Sequence, residues 1–157
     1  MQPGDLMEDF TLDNQDGKAV SLSDYKDSPV VLFFYPRADT PGCTIEACGF
    51  RDTFKKLTAA GAVVLGISRD DVKTQKKFQV KYNLRYQLLA DPEMMLINRY
   101  DLVQPKNMYG KIVKGVKRTT FVIGPDTGDG QRLLHEFENV QPAGHAEEVL
   151  ALLKDAQ

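Results

Sequence analysis

Val30-Val31-Leu32-Phe33-Phe34-Tyr35 is the longest apolar run in the chain, and it passes directly into Pro36-Arg37-Ala38-Asp39-Thr40-Pro41-Gly42-Cys43. Six β-prone apolar residues without polar alternation predict a strand buried on both faces, and the proline stops it. A second such run, Ala62-Val63-Val64-Leu65-Gly66-Ile67, follows a helical stretch that ends near Gly61. Two buried runs separated by a helix make a βαβ unit with parallel strands. Upstream, Phe10–Leu12 and Val20–Leu22 flank Asn14-Gln15-Asp16-Gly17, which reads as an N-terminal β-hairpin. Downstream, Ser68, Asp70 and Asp71 begin a helix that runs to about Lys81, Leu88–Ala90 is a short strand, and Asp91-Pro92 opens a helix reaching about Tyr100. Asp101–Lys117 reads as irregular. Thr119–Ile123 and Leu133–Phe137 are strands joined by a turn-rich segment, and an amphipathic helix of about His145–Lys154 closes the chain. The expectation is an α/β protein, with a mixed central sheet, helices on both faces and an N-terminal hairpin, forming one domain over residues 1–157.

Composition narrows the function classes. Lys plus Arg number 20 against 22 Asp plus Glu, a formal charge of −2, which gives no electrostatic pull on nucleic acid or an anionic membrane. No apolar run approaches the ~20 residues of a membrane span, and Met1–Phe10 has neither the basic nor the apolar region of a signal peptide. The expectation is a cytoplasmic protein with no nucleic-acid or membrane partner. The 2 cysteines, Cys43 and Cys48, are too few for a disulfide framework. The 2 histidines, His135 and His145, stand far from them at no metal-ligand spacing, so no metal site is expected. In a reducing compartment the cysteines are either a thiol redox pair or two small buried apolar residues.

Their setting bears on that choice. Thr40 is a good N-cap and Pro41 a favoured first helical residue, so Cys43 falls at the third position of a helix. Free backbone N–H groups and the positive end of the helix dipole there favour a thiolate. Cys43, Ala47, Phe50, Phe54 and Leu57 share one helical stripe, whereas Cys48 lies about 140° around from Cys43. Cys43 is expected to face inward and Cys48 elsewhere. Loops at the carboxyl ends of parallel strands are also where α/β folds place ligands.

Pro36-x-x-x-Thr40-x-x-Cys43 resembles the active-site signature of the peroxiredoxins. Phe34-Tyr35-Pro36, Thr40-Pro41-Gly42-Cys43-Thr44-x-Glu46-Ala47 and Phe50-Arg51-Asp52 are similar to its peroxiredoxin Q or bacterioferritin comigratory protein branch. Gly115-Val116-Lys117-Arg118-Thr119-Thr120-Phe121 is similar to the family's arginine-bearing strand, and the element order suits its thioredoxin-like fold. The resemblance implies a thiol peroxidase that reduces hydrogen peroxide and alkyl hydroperoxides without a bound cofactor. It implies Cys43 as the nucleophile, becoming a sulfenic acid, and Cys48 as the resolving thiol that closes an intramolecular disulfide. Thioredoxin or a similar dithiol would reduce that disulfide. It further implies that Thr40, Gly42, Cys43 and Arg118 hold the peroxide, that Arg118 supplies a cation, that Pro36 shields the thiolate, and that Glu46 is an accessory candidate. A monomer is expected.

Each residue also has a plainer reading. Thr40 and Pro41 start a helix, Pro36 ends a strand, Arg118 makes a surface ion pair, and Glu46 in the first turn favours the helix dipole. The competing functions are a thioredoxin-like disulfide reductase, which would want a Cys-x-x-Cys that is absent, and a non-catalytic chaperone-like domain of the same fold.

Overall fold

The computed structural model describes residues 1–155. The apolar run forms β3 (Val30–Phe34), central in a seven-stranded sheet. The helix α1 (Pro41–Ala59) leads to β4 (Val63–Ser68), which pairs in parallel with β3. Next, α2 (Val72–Lys81) leads to β5 (Gln87–Ala90), parallel to β4. On that side β1 (Thr11–Asn14) and β2 (Ala19–Ser21) extend the sheet as the expected hairpin, with β1 antiparallel to β5. On the other side β8 (Thr119–Ile123) runs antiparallel to β3 and β9 (Leu133–Phe137) antiparallel to β8. The strand order is β2-β1-β5-β4-β3-β8-β9, a mixed sheet.

Side-chain alternation along β3 divides the core. Val31 and Phe33, with Tyr35 just beyond, pack under α1, α2 and α4 (His145–Asp155), against Phe50, Phe78 and Val149 among others. Val30, Leu32 and Phe34 face the opposite layer, where Leu96 and Ile97 of the short α3 (Met95–Arg99) meet Leu22 and Phe10. All five residues of β3 are fully buried, which is why the run carries no polar alternation. Both faces of the sheet carry helices, as expected, and no helix among the described residues is long and apolar enough to cross a membrane.

Two expectations change. Asp101–Lys117 is not irregular: β6 (Val103–Met108) and β7 (Lys111–Val116) form a separate two-stranded ribbon. Its turn residues Tyr109 and Gly110 have φ of 53° and 81°, the left-handed pair that a two-residue hairpin needs. The ribbon is mostly exposed, so no buried face imposes the apolar alternation by which a strand is read. The helix after Asp91-Pro92 also begins later, at Met95. Asp91 still serves it, accepting from the amides of Met95, Leu96 and Ile97 at 2.8, 3.0 and 3.0 Å.

Candidate active site

The site begins where β3 ends. Tyr35 is buried with its hydroxyl donating to Gln75 Oε1 at 2.6 Å, and burial, the main cause, raises its pKa well above the usual range. From the half-buried Pro36 the chain crosses to α1 through a loop tied down by side chains of neighbouring elements. The Ala38 amide donates to Asp70 Oδ2 at 2.7 Å, an oxygen that also accepts from Ser68 Oγ at 2.6 Å. Asp39, in the left-handed region at φ 59°, accepts from Lys81 Nζ and the Tyr82 hydroxyl, both at 2.7 Å. These contacts fix the direction in which α1 leaves the sheet.

Thr40 is the N-cap and Pro41 the first helical residue, which puts Cys43 at the third position, as expected. Thr40 caps through its backbone: its carbonyl accepts from the Thr44 amide at 2.8 Å, while its hydroxyl makes no cap bond and donates to the Arg37 carbonyl at 2.9 Å. Cys43 is 1% exposed on the inner stripe with Ala47, Phe50 and Leu57; Phe54 on that stripe is only partly buried. Cys48 is half-buried, and both thiols are free. Because α1 is continuous through both, helix geometry separates their Cα atoms by roughly 8.7 Å. A disulfide needs about 4.4–6.8 Å.

Arg118 comes from the residue before β8. The register pairs Phe34 with Thr119, so Arg118 falls beside the end of β3 and reaches α1. Its Nη2 lies 3.4 Å from Cys43 Sγ and its Nη1 2.8 Å from Glu46 Oε1. Burial works against the guanidinium charge, but Cys43 and Glu46 outweigh it and hold its pKa above the ordinary value. Gly42 owes its place to this arrangement, since a Cβ there would stand 3.1 Å from Arg118 Nη2 and 3.5 Å from Pro142 Cγ.

Glu46 differs from the plainer expectation. It lies past the first turn, its side chain is wholly buried, and its Oε2 has no hydrogen-bond partner among the described residues. Desolvation dominates over the attraction of Arg118 and pushes its pKa up to about 7. The linkage sign is opposite to that of an ordinary ion-paired carboxylate. Below the unfolded value of 4.5 the group is protonated in both states and contributes nothing. Between 4.5 and about 7 the folded protein keeps a proton the unfolded chain has lost, so stability falls as pH rises and stays lowered above that window. At 1.36 kcal/mol per pH unit the full loss is about 3 kcal/mol. Glu46→Gln keeps an oxygen for Arg118 and removes the titration. Its denaturation midpoint relative to the wild type is therefore expected to climb between about pH 5 and pH 8. A difference that stays flat across that range would refute the assignment.

Sequence reasoning missed Asp70, Asp39 and Tyr86. Tyr86 donates its hydroxyl to the Ala47 carbonyl at 2.6 Å, a tie to the residue just before Cys48. The available signal was positional: Ser68 and Asp70 sit at the carboxyl end of β4, beside β3, where a ligand loop needs support. His145 is buried against Phe50 and Phe137, bonded to Thr120 Oγ1 at 2.8 Å and to Glu148 at 3.0 Å. Burial, with a smaller push from the Arg118 charge, lowers its pKa against the opposing pull of Glu148.

Residues 3–128 match the AhpC/TSA family. Peroxiredoxin Bcp of Bacillus subtilis is 40% identical over 152 residues, covering 97% of this chain and 94% of its own. Among solved structures, a PrxQ mutant from Xylella fastidiosa superposes with a TM-score of 0.91 at 34% identity, covering 99% of this chain and 97% of its own. Bacterioferritin comigratory protein of Xanthomonas campestris, from a set of trapped intermediate and ligand complexes, gives 0.85 at 35% identity, covering 94% and 90%. With likeness at this level over nearly the whole chain, this protein belongs to the AhpC/TSA family and, within it, to the peroxiredoxin Q or bacterioferritin comigratory protein branch of thiol peroxidases.

Proposed function

We propose that Cys43 is the nucleophile of this thiol peroxidase and Cys48 its resolving thiol. The observation that carries the reading is the buried Cys43 Sγ at the start of α1 with Arg118 Nη2 3.4 Å away. The thiolate attacks one peroxide oxygen, a sulfur–oxygen bond forms, and the oxygen–oxygen bond breaks with its electron pair leaving on the other oxygen. That oxygen takes a proton and departs as water or alcohol, while sulfur is oxidised to the sulfenic acid. Arg118 stabilises the charge on the thiolate and on the departing oxygen. Pro36 limits the access of water, and Gly42 leaves room for the guanidinium. Glu46 fixes the guanidinium in place. Thr40 sets the helix start, and its hydroxyl, whose proton goes to the Arg37 carbonyl, keeps its lone pairs to accept from the peroxide. The Xanthomonas relative is described through its alkyl peroxide reduction activity, which supports alkyl hydroperoxides as substrates here, and the same attack on an oxygen–oxygen bond applies to hydrogen peroxide.

Cys48 then displaces hydroxide from the sulfenic sulfur, forming the disulfide and, with one proton, water. A thioredoxin-type dithiol reduces it, itself becoming a disulfide. Both cysteines are on one chain, so no second copy is needed to close the bond, and the protein acts as a single-domain monomer in the reducing cytoplasm. Because the cysteines cannot bond across an intact α1, the helix between about Gly42 and Arg51 unwinds after oxidation. One equivalent of hydrogen peroxide is expected to remove both free thiols within seconds. In the resulting disulfide form the amides of Glu46 to Arg51 should exchange faster than in the reduced form. Thiol loss at the slow rate of an ordinary free cysteine would overturn the function. Equal amide protection in a fully disulfide-bonded sample would overturn the unwinding.

A further inference from the structure

Glu46 stands in the sequence between the two cysteines, and its side chain is sealed from water. Residues three apart on a helix share a face, so Cys43 and Glu46 turn toward the same cation. Arg118 is 3.4 Å from the sulfur through Nη2 and 2.8 Å from Glu46 Oε1 through Nη1. One positive charge thus serves two groups that can each become negative. Among the described residues nothing answers the second carboxyl oxygen, Oε2. Tyr86, tied to α1 from the residue before β5, is kept neutral by its burial. His145 of α4 packs edge-on against Phe50 and bonds Thr120 and Glu148, and its lowered pKa favours the neutral ring. A buried pocket with one cation accommodates one anion at low cost, and a thiolate at Cys43 takes that place. Glu46 then holds its proton as long as α1 is wound.

The same proton has no reason to stay once the disulfide closes. The turns that carry Glu46 are those that must unwind to bring the cysteines together, so the carboxyl leaves its burial and its place beside Arg118 for water. We propose that Glu46 couples a proton to the redox state of the cysteines: closing the Cys43–Cys48 disulfide expels its proton to solvent, and reducing the disulfide takes one up again. Resting on the reading of these cysteines as disulfide partners, the coupling adds one proton to their balance. On reduction, two electrons from the dithiol cleave the sulfur–sulfur bond and its two protons go to the two sulfurs. A third proton comes from water and ends on the Glu46 carboxyl. A thiolate at Cys43 lowers the count by one without touching the Glu46 proton. The carboxyl titrates at about 7 when buried and near 4.5 in water, which confines the transfer to that window. Within it, acid favours the wound, reduced protein and rising pH the unwound, oxidised one.

Counting protons during oxidation by one equivalent of hydrogen peroxide tests the coupling. A pH indicator in weak buffer reports the protons, and thiol loss in the same sample reports the disulfide formed. At about pH 6 the wild type is expected to release about 0.9 proton more per disulfide than Glu46→Gln, and at about pH 8.5 almost none. The glutamine keeps an oxygen for Arg118, so the contributions of Cys43, Cys48, His145 and the peroxide cancel between the two proteins. A Glu46 with a structural role only would change rates or stability and leave the counts equal. Equal counts at about pH 6, with the disulfide formed in both proteins, overturn the inference. If the glutamine variant does not fold, infrared difference spectra of the wild type decide. The carbonyl stretch of a protonated carboxylic acid should vanish as the disulfide forms at about pH 6, and its persistence, or its absence from the reduced protein, overturns the inference equally. If the wild type forms no Cys43–Cys48 disulfide, the underlying reading falls and this one with it, whereas a disulfide formed without the extra proton removes this inference alone.

Discussion

Cys43→Ser is expected to abolish peroxide reduction while leaving the fold nearly as stable as the wild type. Serine differs at one atom, and a small shift of the Arg118 guanidinium, which keeps its Glu46 partner, brings Nη2 into hydrogen-bond range of the shorter hydroxyl. A hydroxyl at this position has no anion to offer at neutral pH, and no other residue in the cluster is a nucleophile. The variant should retain its melting temperature and its Cys48 thiol, and consume peroxide no faster than buffer. Measurable turnover would move the nucleophile elsewhere.

Arg118→Ala comes next in size. It removes the donor 3.4 Å from sulfur and, among the described residues, the one hydrogen-bond partner of the Glu46 side chain, whose other oxygen has none there. Losing one charge-assisted interaction costs about 1.5–3 kcal/mol, or roughly ten- to a hundredfold in the first oxidation step if it is fully expressed in the transition state. The abandoned carboxyl responds by keeping its proton. Arg118→Lys separates the two roles. A single ammonium cannot reproduce a fork that spans Glu46 and Cys43 together, so its rate should fall between alanine and wild type even where stability is largely recovered. An oxidation rate unchanged in the alanine variant, measured by single-turnover mixing, would leave Arg118 a structural role only.

The parts that were legible in the sequence are those whose cause is local. Thr40-Pro41 announces a helix start wherever it sits, so the third-position placement of Cys43 could be counted off by residue. The unbroken run of β3 announced burial on both faces, and with it the centre of the sheet. What stayed hidden depends on partners distant in sequence. The buried partnership of Glu46 with Arg118 joins residues 72 apart, and the Asp70 bond to Ala38 spans 32. No periodicity carries such a pair, so Glu46 read as a dipole residue and Asp70 as part of a helix start. The β6–β7 ribbon was lost for a different reason: it is held by its own backbone ladder and a left-handed turn, with little burial to pattern its side chains.

The pairing of Phe34 with Thr119 gives the two halves of the site unequal persistence. Arg118 directly precedes β8, a strand bridged on both sides and buried along its whole length, the kind of segment whose backbone opens at the highest free energies. Cys43 belongs to the first turn of a helix, the kind of segment that opens locally and often. In the proposed cycle, a sulfur that leaves its place to meet Cys48 takes Glu46 with it, and on returning both meet an Arg118 whose backbone has stayed against the sheet. The cost of placing the Arg118 backbone falls on folding, once, whereas the cost of ordering the first turns of α1 around its guanidinium recurs with each turnover.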